Sequence, residues 1–292
     1  MELSNRRQKF THITLFVAPA LLVLVAFGLL PIIFNFIMSL YRTDLMSPSV
    51  FVGLRNYEIL FRDPIFLQSL KNNILLVIGS LVAHLLLGLL IANILFTNLR
   101  GTSFFQSAFF LPSVVTGVAV GLTWTFIFNS EFGMVNSILE ILNLEQFQRQ
   151  WLADENTAMF AIIIAVMWQF VGYHVVIQLA AMRGIPEDLY EAAAIDGASR
   201  WRQFLSITLP LIKPVLAIDA ILIITGSLKY FDLVFVMTGG GPNHASEVLS
   251  TYIYYQGFRT LKYGYASAMA NILLLLSALA IIVSRLVFRS DD

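Results

Sequence analysis

The chain has 292 residues, 58% of them apolar and 12% charged, with a mean hydropathy of +0.78. A soluble domain carries about 25% charged residues, so the composition excludes one and describes a surface that faces lipid. A formal net charge of zero removes the electrostatic footprint of a nucleic-acid binder, and the absence of cysteine removes disulfides, thiolate nucleophiles and cysteine metal sites together.

A membrane-spanning helix takes about 20 mostly apolar residues. Six stretches meet that length, at roughly 13–39, 74–96, 105–128, 158–181, 215–237 and 266–288. The expected fold class is therefore all-α, a polytopic membrane protein with six transmembrane helices. Arg6, Arg7 and Lys9 precede the first stretch as they would a signal peptide. Its apolar run exceeds the about 7–15 residues of a signal h-region, so it reads as an uncleaved span. Lys/Arg placement gives the sidedness. Arg6, Arg7, Lys9, Arg100, Arg183, Arg200, Arg202, Lys213, Arg285 and Arg289 fall on the side of both termini. Arg42, Arg55, Arg62, Lys71, Arg149, Arg259 and Lys262 fall on the other. The excess puts both termini in the cytoplasm.

Between the first two spans, "FVGLRNYEILFRDPIFLQSL" mixes aromatic and aliphatic residues with charges, and reads as short helices along the interface. Residues 1–70 thus form an N-terminal transmembrane helix with an external interfacial segment, and 71–292 form the core. The turn at "TNLRGTS" is short enough to make spans two and three an antiparallel pair. "MVNSILEILNL", in the next external segment, has the period of a short amphipathic helix.

The loop at 182–214 is long and helical in pattern. Pro186 fits a first helical position, and Glu187 and Asp188 complement the helix dipole. Ala192, Ala193 and Ala194 make a smooth face that another protein's backbone can approach. Gly197 stands where a C′ glycine takes positive φ, and Ser199 caps a second helix carrying Trp201, Phe204 and Leu205. Pro210 and Pro214 end that helix ahead of span five. An amphipathic helix resting on headgroups is the bland counterpart. It would show large apolar residues with basic edges, whereas alanines and acids suit protein docking.

Chemistry-bearing signatures are missing. No G-x-x-x-x-G-K-[ST], H-E-x-x-H or G-x-S-x-G occurs, and His12, His84, His174 and His244 are scattered. No catalytic residue, metal site or cofactor is assigned. If the chain carries out active transport, the energy comes from a partner or from an ion gradient.

Ionisable residues at membrane depth are costly and usually functional or paired. In span five, Lys229 and Asp232 are three apart and share a helix face, while Asp219 near the cytoplasmic end snorkels or caps. Gln169 and Tyr173 share a face of span four, and Ser227 and Tyr230 lie in span five. Aromatic faces stack on the C–H faces of sugars and polar groups meet hydroxyls, so Gln169, Tyr173, Ser227, Lys229 and Tyr230 are candidate substrate contacts. Ordinary packing or an interfacial aromatic belt is the competing reading. An ion-gradient-driven secondary transporter of polar solutes, with Asp219, Lys229 and Asp232 as a relay, is the second functional reading.

The stretch "EAAAIDGASRWRQFLSITLPLIKP" carries a resemblance. Glu-Ala-Ala, three residues, Gly, nine residues, Ile-x-Leu-Pro is the motif of binding-protein-dependent ABC importer permeases, met here by Glu191, Ala192, Ala193, Gly197, Ile207, Leu209 and Pro210. "FVGLRNY" and "FDLVFVMTGGGP" are similar to stretches of the carbohydrate branch, in particular the first permease of a two-permease pair. The resemblance covers roughly residues 70–288. It implies a type I ABC importer permease fold and a coupling helix at 187–196, Asp196 included, seated in a cytoplasmic ATPase with Glu191 meeting a basic residue there. The partners it implies are a second permease, two copies of the ATPase subunit that binds the ATP, an extracytoplasmic sugar-binding protein and membrane lipid. The cargo is a disaccharide, oligosaccharide or glycoside, and the location is the cell inner membrane.

Overall fold

The computed structural model describes residues 16–44, 46–97 and 100–287. Arg6, Arg7, Lys9 and Arg289 of the sidedness count lie outside them, as do 13–15 of the first predicted span and 288 of the last. The chain divides into two compact units, one taking the residues through Arg62 with Ile253–Ile272, the other Asp63–Tyr252 with the residues from Leu273.

The first unit opens with helix α1 (Phe16–Ser39), none of whose apolar window is buried against the chain. Exposed Phe16, Phe27 and Phe34 give it the all-round apolar surface of a span in lipid. A two-residue antiparallel ribbon follows, β1 (Tyr41–Arg42) with β2 (Val50–Phe51), then α2 (Arg55–Leu60). In the turn between the strands, the Asp44 carboxylate accepts from the amides of Ser47 at 2.7 Å and Met46 at 3.0 Å. Those bonds hold the carboxyl below the usual carboxylate range. An amide knot joins the unit. Asn35 Nδ2 donates to Asn271 Oδ1 at 2.7 Å, and Asn271 Nδ2 donates to the Tyr57 hydroxyl at 2.9 Å. Asn56 Nδ2 donates to the carbonyls of Ser39 and Tyr41 at 2.7 and 2.9 Å.

The second unit carries α3 (Pro64–Phe96), α4 (Thr102–Val114), α5 (Gly117–Ile127), α6 (Met134–Ile141) and α7 (Ala158–Arg183). After it come α8 (Glu187–Ile195), α9 (Arg200–Gln203), α10 (Leu209–Leu228) and α11 (Asp232–Met237). Helices α12 (Leu249–Tyr254) and α13 (Tyr263–Val287) follow, of which residues 253–254 and 263–272 belong to the first unit. Asp63 caps α3 by accepting from Ile65 N at 2.9 Å, and Pro64 occupies the first position, where a missing N–H costs nothing. The amphipathic helix expected in "MVNSILEILNL" is α6.

Among the described residues, five helices are long and apolar enough to cross a membrane, six if α4 and α5 count as one. The third predicted span is not continuous: α4 and α5 meet at 99°. Pro112 weakens the end of α4, and Thr116 caps α5 by accepting from Ala119 N. Span five also breaks, with Lys229, Tyr230 and Phe231 between α10 and α11. Its other end runs longer than expected, because Pro210 and Pro214 do not stop the helix. A π-helical turn at Phe204–Thr208 leads into α10, with the N–H of Leu209 reaching back to the Phe204 carbonyl, and the prolines ride in the helix beyond it. Pro186 stands one residue before α8 rather than within it.

Two apolar clusters hold the second unit. Leu76, Val120, Ile162, Val166, Leu233 and Val234 form one across α3, α5, α7 and α11. Ala92, Leu95, Leu179, Met182, Phe204 and Ile212 form the other. Gly172 sets the closest approach of α7 to α4, since a Cβ there would lie 1.8 Å from the Phe109 carbonyl oxygen.

Candidate functional site

Two places gather the residues singled out in the sequence. The first is the loop holding α8. Gly197 has φ +78°, with its N–H on the Ala194 carbonyl at 3.0 Å and that of Ala198 on Ala193 at 2.9 Å. This paired closure of a helix C-terminus requires a left-handed residue at C′. Ser199 then accepts from Arg202 N and starts α9. Glu191, Ala192 and Asp196 are exposed along α8, Ala193 is half-buried, and Ile195 ends the helix 87% exposed. Ile207 and Leu209 are half-buried and Pro210 exposed, on the π-turn and the start of α10.

Sequence reasoning missed the brace behind α8. The Tyr190 hydroxyl meets Thr208 Oγ1 at 2.9 Å, and its ring packs on Phe96 with centroids 5.6 Å apart. The helix is thereby tied to the π-turn of span five and the end of α3. The spacing of Tyr190 and Thr208 gave no signal, because the contact exists only once the loop has folded back.

The second place is a cavity of about 430 Å³ within the membrane helices. Tyr173, Ser227 and Tyr230 line it together, with Ser113, Phe110, Phe170, His84 and His174. Gln169 and Lys229 are not in its wall. Gln169, 2% exposed, accepts from the Tyr230 hydroxyl at 2.9 Å and donates to the Val115 carbonyl at 3.1 Å, so its amide braces the wall from behind. Lys229 is exposed at the end of α10 and Asp232 is exposed at the start of α11, packed beside Gly117. The expected Lys229–Asp232 pair is not formed, because the helix breaks between them and three-residue spacing no longer means one face.

Asp219 neither snorkels nor caps. It is fully buried, its Oδ1 2.6 Å from His174 Nδ1 and its Oδ2 accepting from Gln178 Nε2 at 2.8 Å. Asp219, Lys229 and Asp232 therefore form no relay: no hydrogen bond or ion pair joins any two of them among the described residues. Asn72 and Asn73 were also missed. Asn72 Nδ2 donates to the carbonyls of Ala245 and Glu247 at 2.9 and 2.8 Å. Asn73 donates to the Leu228 carbonyl at 3.2 Å and accepts from Leu249 N at 2.8 Å, which satisfies the backbone freed by the broken span. Two adjacent asparagines in an apolar run were the available signal. No group of three or more His, Asp and Glu side chains suited to a metal ion occurs among the described residues.

A third span bent at 99° and an exposed helix–glycine–helix loop between apolar helices belong to a polytopic membrane protein. The chain belongs to the family described as "Binding-protein-dependent transport system inner membrane component", which matches residues 84–290. It is 40% identical over 266 residues, 90% of this chain and 91% of the relative, to "Probable ABC transporter permease protein YurN" of Bacillus subtilis. It is 36% identical over 257 residues, 88% of this chain and 86% of the relative, to "Trehalose/maltose transport system permease protein MalF" of Thermococcus litoralis. Its fold matches a chain in the crystal structure of a bacterial ABC transporter involved in import of the acidic polysaccharide alginate, with TM-score 0.83, 22% identity and 99% of both chains covered. The fold is the type I importer permease fold expected from the sequence.

Proposed function

We propose that this chain is one of two permeases in an ATP-driven importer of a disaccharide, oligosaccharide or glycoside, and that the cavity between α4, α7 and α10 is its part of the sugar route. The carrying observation is the cavity wall, whose lining combines Tyr173, Tyr230 and Phe170 with Ser113 and Ser227. Aromatic faces accept the C–H side of a sugar ring, and hydroxyls replace its water. The volume falls within the about 300–1,000 Å³ of small-molecule sites. The relative named for trehalose and maltose transport supports the same substrate class.

In this reading an external binding protein delivers the sugar, and ATP is bound and split by two cytoplasmic subunits. The face of α8 with Glu191, Ala192 and Ala193 sits in a cleft of one of them, held by the closure at Gly197. Closure of the ATPase pair pushes α8, and Tyr190 passes the push to Thr208 and Phe96. The spans then exchange inward- for outward-facing packing. The loop with α8 and both termini are cytoplasmic, as the Lys/Arg excess has it.

The test is reconstitution with the partner permease, ATPase and binding protein, and uptake of labelled maltose, trehalose, lactose and chitobiose with and without ATP. Uptake of at least one that requires both ATP and the binding protein is expected. Uptake driven by an ion gradient with ATPase absent would overturn the assignment.

A further inference from the structure

Five buried side-chain polar atoms lack a hydrogen-bond partner among the described residues, and four lie in one neighbourhood: both ring nitrogens of His84, Oε1 of Gln178 and Oγ of Ser80. Ser80 and His84 are four residues apart on α3, and Gln178 Nε2 donates to the His84 carbonyl at 3.1 Å. Buried polar groups are ordinarily paired, so four unpaired atoms together, at membrane depth, ask for a partner outside the chain. The local helix is irregular too. His84 sits in a π-helical turn at Val82–Leu87, a deformation that recurs at functional sites.

The surroundings divide the labour. His174 Nδ1 and Gln178 Nε2 both take the Asp219 carboxylate, at 2.6 and 2.8 Å, and Gln178 Oε1 is left over. The His84 ring stacks on the His174 ring with centroids 4.7 Å apart and planes at 23°. The carbonyls of Val166 and Met167 lie near the His84 ring but outside hydrogen-bond geometry. One imidazole is thus fixed by a carboxylate, and the other is fixed by stacking with its nitrogens left over. Both rings belong to the wall of the 430 Å³ cavity.

We propose that His84 is a specificity-determining contact for the transported solute, its ring nitrogens hydrogen-bonding a solute hydroxyl, with His174, Asp219 and Gln178 as positioning residues. This rests on the cavity being the solute route. The nitrogens are covered in the present conformation, so the contact belongs to the conformation in which α3 and α7 part at the cavity. A neutral hydroxyl fits better than a cation, because the one carboxylate here is already taken by two donors.

Two measurements on the assembled importer test this. The chain has no cysteine, so with cysteine-free partner subunits His84→Cys is the only thiol of the complex, and its reaction with 2-aminoethyl methanethiosulfonate is followed in the resting and vanadate-trapped states. At least tenfold faster labelling in one state than in the other is expected. No labelling in either state, while Tyr173→Cys labels, overturns the proposal and leaves the cavity as the route; no labelling of either thiol removes both. In uptake of maltose, trehalose and lactose, His84→Phe keeps a stacking ring and loses both nitrogens. It is expected to raise KM about tenfold or reorder the three sugars, with kcat changed less and His84→Gln recovering part of the loss. Wild-type KM for His84→Phe on a transported sugar also overturns it.

Discussion

The Tyr230 hydroxyl donates to Gln169 Oε1 at 2.9 Å, and the other end of the same amide donates to the Val115 carbonyl at 3.1 Å. One side chain of α7 thus ties together the break between α10 and α11 and the break between α4 and α5. Irregular backbone at membrane depth persists only where protein or a wet cavity satisfies it. Tyr230 of the cavity wall is therefore tied, through Gln169 behind it, to both breaks.

Removing that amide should be felt in stability. Gln169→Leu leaves the Val115 carbonyl and the Tyr230 phenol without their amide partner, at about 0.5–1.5 kcal/mol for each part-buried bond lost. Tyr230→Phe removes one bond, worth about 0.5–1.5 kcal/mol. A double-mutant cycle by thermal unfolding in detergent should show positive coupling between the two. Strict additivity would mean that the bond contributes nothing.

Asn73 predicts a larger effect from a residue that is not part of the cavity wall. Asn73→Ala orphans both the Leu228 carbonyl and the Leu249 N–H, and Leu249 is fully buried. A loss of about 2–4 kcal/mol follows from two orphaned backbone groups. Amide exchange should accelerate first at Leu249–Tyr254, the helix whose first N–H is released. Uniform exchange across the second unit would argue against this local anchoring.

How much of this was legible depended on how local the cause was. The α8 loop was readable because its parts lie within a few residues of one another: acids in the first turn, Gly197 at φ +78°, and the Ser199 cap. The break at Val115 was not, since hydropathy runs through it unchanged and only Pro112 and Thr116 mark it. Lys229 and Asp232 misled for the same reason, as helical spacing was carried across residues that are not helical. Asp219 was misplaced because its partners His174 and Gln178 lie 45 and 41 residues away, brought in only by packing of α7 on α10.

Sidedness can be read with two thiols. Ser199 and Glu155 are exposed, the first between α8 and α9 and the second between α6 and α7. Ser199→Cys and Glu155→Cys in this cysteine-free chain should react with an impermeant maleimide from opposite faces of oriented vesicles. Ser199→Cys should react only from the cytoplasmic face. Reaction of both from outside would reverse the orientation drawn from the Lys/Arg excess.

Gly197 separates backbone shape from side-chain contact in the α8 loop, proposed above to couple to the ATPase. No atom lies within 4 Å of a Cβ built there, and φ is +78°. A substitution is therefore judged by backbone conformation alone. Valine, β-branched, is penalised by about 1–3 kcal/mol in the left-handed region, whereas asparagine enters it readily. Gly197→Val should unwind the closure on Ala193 and Ala194 and tilt the α8 face away from its cleft. ATP-driven uptake should then fall at least tenfold, although the protein still reaches the membrane. Gly197→Asn should lose far less. Glu191→Lys changes no backbone, and it should uncouple by setting like charges together if a basic residue faces it in the ATPase. Measuring uptake and binding-protein-stimulated ATP hydrolysis for all three separates the two effects. Equal coupling by the valine and asparagine variants would show that the left-handed closure is not what presents α8.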